Sequence, residues 1–170
     1  MEERRNRFVI MVESALSVAL SVVLSGIILF RMPQGGEISL ELVPLMILAF
    51  RHGVKPGLIA GALVGVLKLL LGGYFLHPMQ ALLDYPMAFA CVGMVAVRPR
   101  FLGFTLASCL HVFCSILSGV FFFASFAPKD MNPWVYSFLY NVPVLGVKYI
   151  LSFIAAQILW KSLNKQMKSP

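Results

Sequence analysis

Six apolar segments, separated by short polar or basic connections, account for most of this 170-residue chain. They run over about residues 8–30, 38–50, 57–71, 79–97, 101–126 and 134–163. A helix that crosses a bilayer needs about 20 mostly apolar residues, and lipid offers no partners to backbone polar groups. The pattern predicts an all-α integral membrane protein, a bundle of six transmembrane helices in a single membrane domain over residues 1–170. Segments two and three are short, so we expect them to be tilted or packed inside the bundle.

Composition excludes several other classes of protein. Hydrophobic residues make up 59% of the chain and charged residues 12%, whereas a soluble domain usually has about 25% charged residues. The three cysteines all lie in apolar runs and predict no disulfide framework. The net charge of +7 resides mainly in the connections. We therefore expect a lipid bilayer as the surroundings, and neither a secreted disulfide module nor a nucleic-acid-binding domain.

The basic residues fall on alternate connections. Ten lie at the termini and in the second and fourth connections, against two in the others. Those ten are Arg4, Arg5, Arg7, Arg51, Lys55, Arg98, Arg100, Lys161, Lys165 and Lys168. Cytoplasmic loops carry the excess of Lys and Arg, so the sequence predicts that both termini are cytoplasmic.

Two segments carry small residues at helical spacing. Gly57, Gly61 and Gly65 form a flat strip on segment three, which favours close packing inside the bundle. Ala15 and Ala19 stack on one face of segment one. That face could equally pack inside the bundle or dock another membrane protein.

An acid inside a membrane span suggests a functional site, because burying a charge in lipid is costly. Asp84 is such an acid, near the outer end of segment four. The outer ends of the segments also carry many aromatic and amide groups, including Tyr74, Tyr85, Tyr136 and Asn141. An aromatic belt at the lipid headgroups would explain part of this pattern. A carboxylate beside aromatic faces also suits a flat organic cation, so we expect an outward-facing ligand pocket.

No motif in the sequence indicates catalysis, a metal or a cofactor. The three histidines lack metal-ligand spacing, and neither a Walker A loop nor a Gly-x-Ser-x-Gly sequence occurs. We therefore expect no enzyme activity, and no ATP-driven transport by this chain alone.

Several motifs resemble the thiamine transporter family, the thiamine-specific S components of energy-coupling factor transporters. The resemblance covers nearly the whole chain, in order. It is carried by Met32-Pro33-Gln34-Gly35-Gly36, Phe50-Arg51-His52-Gly53, His77-Pro78-Met79-Gln80, Leu83-Asp84-Tyr85-Pro86, Ser118-Gly119-Val120-Phe121-Phe122 and Tyr140-Asn141.

The resemblance implies a multi-pass protein of a bacterial plasma membrane that captures thiamine at the outer face. ATP-driven uptake would then require a transmembrane coupling subunit and two ATP-binding-cassette ATPases. The family contacts its coupling subunit through an Ala-x-x-x-Ala pattern that Ala15 and Ala19 match. No cofactor is implied.

The resemblance also implies a set of ligand-binding residues. Family positions carry over to Asp84, Tyr85, Tyr74, Tyr136 and Asn141, with Phe123 where some members have a stacking tryptophan. The family's helix-five histidine, four residues before Gly119, is Ser115 here. His111 lies one turn deeper, as a partial substitute or as a packed helix residue.

Two lysines inside the segments leave the ligand's charge open. Lys68 could neutralise Asp84 or extend to the outer surface, and Lys148 could pair with Glu41. If both lysines faced the pocket, an anionic vitamin would become an alternative to thiamine. A stand-alone proton-coupled thiamine transporter is the other alternative.

Overall fold

The computed structural model describes residues 2–33 and 36–166, which are mostly helical. The elements are α1 (Glu2–Ser25), β1 (Phe30–Arg31), β2 (Glu37–Ile38), α2 (Leu42–His52), α3 (Val54–Leu70), α4 (Pro78–Ala96), α5 (Arg100–Phe122) and α6 (Pro133–Gln166). Within the described ranges, α1, α4, α5 and α6 are long and apolar enough to cross a membrane. Lys168, one of the basic residues counted above, lies outside the described residues, as do Gln34 and Gly35.

The short helix α2 lies at the centre of the bundle. Its 11 residues rise about 16 Å at 1.5 Å per residue, well short of the roughly 30 Å hydrocarbon core. Seven of them are buried, with Leu42, Leu45 and Met46 fully inaccessible. Protein shields most of this short helix, which confirms the expectation that the segment packs inside the bundle.

The glycine strip of α3 packs against α4. A Cβ on Gly57 would lie 2.8 Å from the Cα of Gly93, and one on Gly65 would overlap the carbonyl of Tyr85. Because real side chains do not approach backbone so closely, only glycine permits this contact. The structure confirms that the strip serves packing inside the bundle.

Helix α4 is irregular where it carries its acid. It opens with an α-helical turn, widens into a π-helical turn at Leu83–Met87, and tightens to a 3₁₀ helix at Cys91–Ala96. Pro86 lies in the π turn; it has no N–H to donate, and its ring would meet the carbonyl four residues earlier. Turns of this kind concentrate at functional sites, and this one holds Asp84 and Tyr85.

Several predicted helix boundaries were wrong. Helix α1 begins at Glu2, not at residue 8, since the Glu3–Arg7 pair (2.6 Å) supports an extra turn. It ends at Ser25 and not at residue 30, because the chain then pairs in a short antiparallel hairpin, Phe30 with Ile38. Predicted segment two included Ile38, which belongs to that hairpin.

The remaining boundary shifts are smaller. Helix α5 ends at Phe122, and a 3₁₀ turn at Ala124–Phe126 replaces its predicted last turn. Helices α3 and α6 begin at Val54 and Pro133, slightly earlier than predicted.

The end of the bundle where α2 meets α3 and where α5 begins is rich in basic side chains. Glu13 of α1 accepts from Arg51 (3.0 Å) and contacts His52 (2.7 Å). Arg100 lies 4.5 Å from the ring centre of Phe50 and donates to Gln157 (2.5 Å). These contacts join α1 to the α2–α3 corner and the start of α5 to α6.

Candidate functional site

A cavity of about 130 Å³ lies at the opposite end of the bundle. The β1–β2 hairpin, α3, the Tyr74 loop, α4, α5 and α6 all contribute to it. Its walls are Met32, Gly36, Glu37, Lys68, Tyr74, Gln80, Asp84, Tyr85, Phe89, His111, Ser115, Ser118, Gly119, Phe123, Tyr136, Ser137, Tyr140, Asn141, Val144, Leu145 and Lys148.

Asp84 presents one carboxylate oxygen to two protein donors. Gln80 Nε2 and Ser118 Oγ each donate to Asp84 Oδ2 at 2.7 Å. Both bonds use the same oxygen, so Oδ1 remains the acceptor for a ligand in the cavity. The charge of Asp84 is thus held in place without a basic partner among the described side chains of the cavity.

Two glutamates and two lysines form a second charged group, here called the ion quartet: Glu37, Glu41, Lys68 and Lys148. Lys68 Nζ lies 2.5 Å from Glu37 Oε1 and 2.5 Å from Glu41 Oε2. Lys148 pairs with the other oxygen of Glu41. Glu41 and Lys148 are buried, and the quartet balances to zero.

These pairings leave the cavity with a net negative formal charge. With the quartet neutral, the carboxylate of Asp84 is the remaining formal charge among the described lining residues. Arg31 approaches Glu37 at 3.8 Å, but its side chain is 66% exposed and does not line the cavity. A cation would be attracted to this site, and an anion repelled.

Asn141 forms a polar wall opposite Asp84's helix. Its Nδ2 donates to the Ser137 carbonyl (2.9 Å) and lies 3.4 Å from the Ser115 carbonyl. Because its donors serve α5 and α6, its Oδ1 is the atom left for a ligand donor. Gly119 makes this wall possible, since a Cβ there would overlap Ser137 Oγ.

Aromatic rings surround the mouth of the cavity. Tyr74 and Phe123 lie 5.8 Å apart between ring centres, and Tyr136 and Tyr140 lie 5.9 Å apart. The backbone carbonyl of Tyr74 accepts a bond from the Tyr85 hydroxyl (3.3 Å). Flat faces beside a single carboxylate that has no basic partner are suited to an aromatic cation.

Comparison with known proteins assigns this arrangement to a family. The sequence model of the family described as "thiamine transporter protein" matches residues 11–168. The chain belongs to that family. It is therefore a membrane protein of a transporter family, as its motifs predicted.

Individual relatives agree with this assignment. The chain is 34% identical to thiamine transporter ThiT of Bacillus subtilis, covering 94% of each sequence. It is 29% identical to ThiT of Lacticaseibacillus paracasei, covering 92% of this chain and 89% of that one. The solved structure of ThiT from Listeria monocytogenes superposes with a TM-score of 0.85 at 26% identity, covering 94% of this chain and 97% of that one.

The seven residues that the resemblance offered for the ligand all line the cavity: Asp84, Tyr85, Tyr74, Tyr136, Asn141, Phe123 and Ser115. They come from α4, α5, α6 and two connections, so the fold brings them to one place. Their contact with a ligand remains a prediction. Ala15 and Ala19 lie far along the chain from this set, on an exposed face of α1.

Two sequence interpretations of Lys68 were wrong. Lys68 neither neutralises Asp84 nor extends to the outer surface, because Glu37 and Glu41 hold its ammonium group. The predicted pairing of Lys148 with Glu41 is confirmed. His111 is a packed residue, 3% exposed and bonded to the Tyr149 hydroxyl (3.1 Å), although its ring also reaches the cavity.

Sequence reasoning missed several polar residues of the site. Gln80 and Ser118 hold Asp84, and Glu37 holds Lys68. Gln80 stood four residues before Asp84 on the same helix, a spacing at which side chains meet. Ser118 and Glu37 carried no comparable signal, because their partners lie 34 and 31 residues away in the chain.

Proposed function

We propose that this chain is a substrate-binding S component that captures thiamine at the outer face of a bacterial plasma membrane. Uptake would be driven by ATP through a coupling module made of one transmembrane subunit and two ATPases. The observation that carries this proposal is the single uncompensated carboxylate, Asp84, in a cavity bordered by aromatic rings. Thiamine joins a cationic thiazolium to a flat aminopyrimidine, so it suits both features.

Polar groups on the two sides of the cavity fit the two rings of thiamine. Asp84 Oδ1 would compensate the thiazolium charge or accept from the aminopyrimidine. Asn141 Oδ1 would accept from a ring amino group, and Tyr74, Tyr85, Tyr136 and Phe123 would stack on ring faces. Ser115 leaves room where the family pattern has a histidine.

The ion quartet argues against an anionic vitamin as the ligand. Lys68 and Lys148 do border the cavity, which was the condition for that alternative. Each of them already pairs with a carboxylate. An incoming anion would have to displace a buried glutamate, and burying an unpaired charge is costly.

Thiamine titration of the purified protein tests the ligand. We expect one site per chain with a dissociation constant below about 1 μM, and no comparable binding of an anionic vitamin such as biotin. Calorimetry is a better readout than tryptophan fluorescence, because neither tryptophan lines the cavity. Trp134 is half-exposed outside it, and Trp160 lies near Arg100 at the other end of the bundle. Preference for the anion, or no thiamine binding at high micromolar levels, would refute the assignment.

The orientation and membrane crossing follow from the same proposal. The cavity lies at the end away from the basic connections that hold Arg51, Lys55, Arg98 and Arg100, so the positive-inside rule would put the cavity outside and both termini in the cytoplasm. Six crossings would then include α2 and α3, the two helices that protein partly shields from lipid. Ala15 and Ala19 would face the coupling subunit, because α1 exposes them beside Met11, Leu16 and Val23.

Enlarging the α1 surface tests the docking assignment. Ala15→Leu with Ala19→Leu should abolish most thiamine uptake in cells that supply the coupling module, because bulk there prevents close helix contact. Thiamine affinity of the purified variant should be unchanged. Val66→Leu with Val147→Leu, two exposed sites on α3 and α6, is the control and should transport normally.

The same assay separates the proposal from a stand-alone transporter. An S component gives no uptake in liposomes that contain only this chain. Uptake there with a proton gradient and no ATPase would support the proton-coupled alternative. Normal uptake by the α1 variant in cells would argue that another surface docks the partner.

A further inference from the structure

Gln80 lies at the junction between the acid of the site and the loop before α4. Its side chain is 1% exposed. Its Nε2 donates to Asp84 Oδ2 at 2.7 Å and reaches the Tyr74 carbonyl at 3.3 Å. Its Oε1 accepts from the Leu76 amide at 3.1 Å. Both N–H donors of this amide and one of the two lone pairs of its oxygen are therefore engaged.

We propose that Gln80 is a positioning residue that sets the orientation of Asp84 for ligand binding and joins it to the Tyr74 loop. The inference rests on the proposed function, and it adds a residue with no predicted contact to the ligand. Gln80 and Ser118 occupy Oδ2 from two helices, so they restrain the carboxylate plane and leave Oδ1 as the acceptor for a ligand. Without them the carboxylate could rotate about its terminal bond, which has only a broad preference.

The bond to the Tyr74 carbonyl gives Gln80 a second effect. Tyr74 is 40% exposed at the mouth of the cavity, and its ring centre lies 5.8 Å from that of Phe123. Its backbone is held by Gln80 Nε2 and by the Tyr85 hydroxyl. The buried amide of Gln80 thus orients the carboxylate of Asp84 and also holds the backbone of Tyr74, whose ring borders the site.

Gln80→Met is the first test, because methionine has a similar length and no hydrogen-bond donor. We expect thiamine affinity to fall roughly ten-fold or more, the usual effect of losing a hydrogen bond to a charged group. Gln157→Met is the matched control: Gln157 accepts from Arg100 at the other end of the bundle, and this variant should bind thiamine as the parent does.

A double-mutant cycle with Asp84→Asn separates positioning from a general structural role. If Gln80 acts through the charge of Asp84, Gln80→Met should cause a clearly smaller loss of affinity in the Asp84→Asn background than in the parent, and the loss that remains measures its effect through the Tyr74 loop. If it only stabilises the fold, the two losses should multiply. Ser118→Ala, which removes the other donor to Oδ2, should follow the same non-multiplicative pattern.

A second variant keeps the test decisive if Gln80→Met does not fold. If Gln80→Met aggregates, Gln80→Asn keeps an amide that is one methylene too short to reach Asp84, and the same cycle applies. Parental affinity in a folded Gln80 variant, or losses that multiply with Asp84→Asn, would overturn the positioning role. Failure of the parent protein to bind thiamine would instead overturn the proposed function, so the two failures are distinguishable.

Discussion

Asp84→Asn is expected to weaken thiamine binding by at least about 30-fold. Removing one member of a desolvated charge pair usually costs about 2–5 kcal/mol, and each 1.4 kcal/mol is a factor of ten in affinity. The asparagine oxygen would accept the bonds from Gln80 and Ser118 that Oδ2 accepts now. Its amide nitrogen would then face the cavity, replacing a charged acceptor with a neutral donor.

Calorimetry on the purified variant measures this loss, with Asp130→Asn as the control. Asp130 is an exposed loop residue with φ of 68°, a conformation that asparagine also tolerates, so this variant should bind thiamine like the parent. Unchanged affinity of Asp84→Asn would contradict the charge argument and the assignment of the pocket.

An uncharged analogue, with a neutral ring in place of the thiazolium, assigns the role of Asp84 more closely. If Asp84 compensates the thiazolium, the parent should strongly prefer thiamine over the analogue, and Asp84→Asn should lose most of that preference. If Asp84 accepts from the aminopyrimidine, the variant should lose affinity for both ligands alike.

Glu41→Gln is expected to destabilise the fold by about 3–5 kcal/mol, the usual consequence of removing one partner from a buried ion pair. Glu41 is fully buried and is bonded by both Lys68 and Lys148. Its loss would leave a buried lysine without a counter-charge, while Lys68 would keep Glu37. Chemical unfolding in detergent, without thiamine, measures the change free of ligand linkage.

Removing the charge of Lys148, which Glu41→Gln leaves without a partner, should recover part of the lost stability. Lys148→Met in the Glu41→Gln background should be more stable than Glu41→Gln alone, because the interior then holds one lysine and one glutamate. Glu3→Gln is the control: its pair with Arg7 is about 80% exposed on both sides, and such pairs contribute little. Parental stability of Glu41→Gln would mean that the ion quartet is not a buried network.

The candidate site was largely predictable because its residues lie within recognisable motifs. Asp84 and Tyr85 lie in Leu83-Asp84-Tyr85-Pro86, and Asn141 follows Tyr140. A carboxylate within an apolar run is conspicuous by itself, since lipid makes it costly. The π turn that presents it was not predicted, although Pro86 in the run was a visible reason for an irregular helix.

The role of the lysines was not predictable in the same way. Lys68 is 27 residues from Glu41 in the chain, and Lys148 is 107 residues from it. An isolated lysine in an apolar run is compatible with snorkelling, with a ligand contact or with an ion pair. Which of these occurs depends on the side chains that neighbouring helices bring to the same depth.

The sequence by itself determined that this is a membrane protein, where its apolar segments lie, and that one acid stands near the end of a span. These are local properties: hydropathy and residue spacing act along the chain, and water or lipid enforces them directly. The tertiary structure decided the net charge of the cavity, the burial of α2 at the centre and the hydrogen bond from Ser118 to Asp84. Each of these depends on contacts between residues far apart in sequence, and close packing selects such contacts only once the helices are assembled.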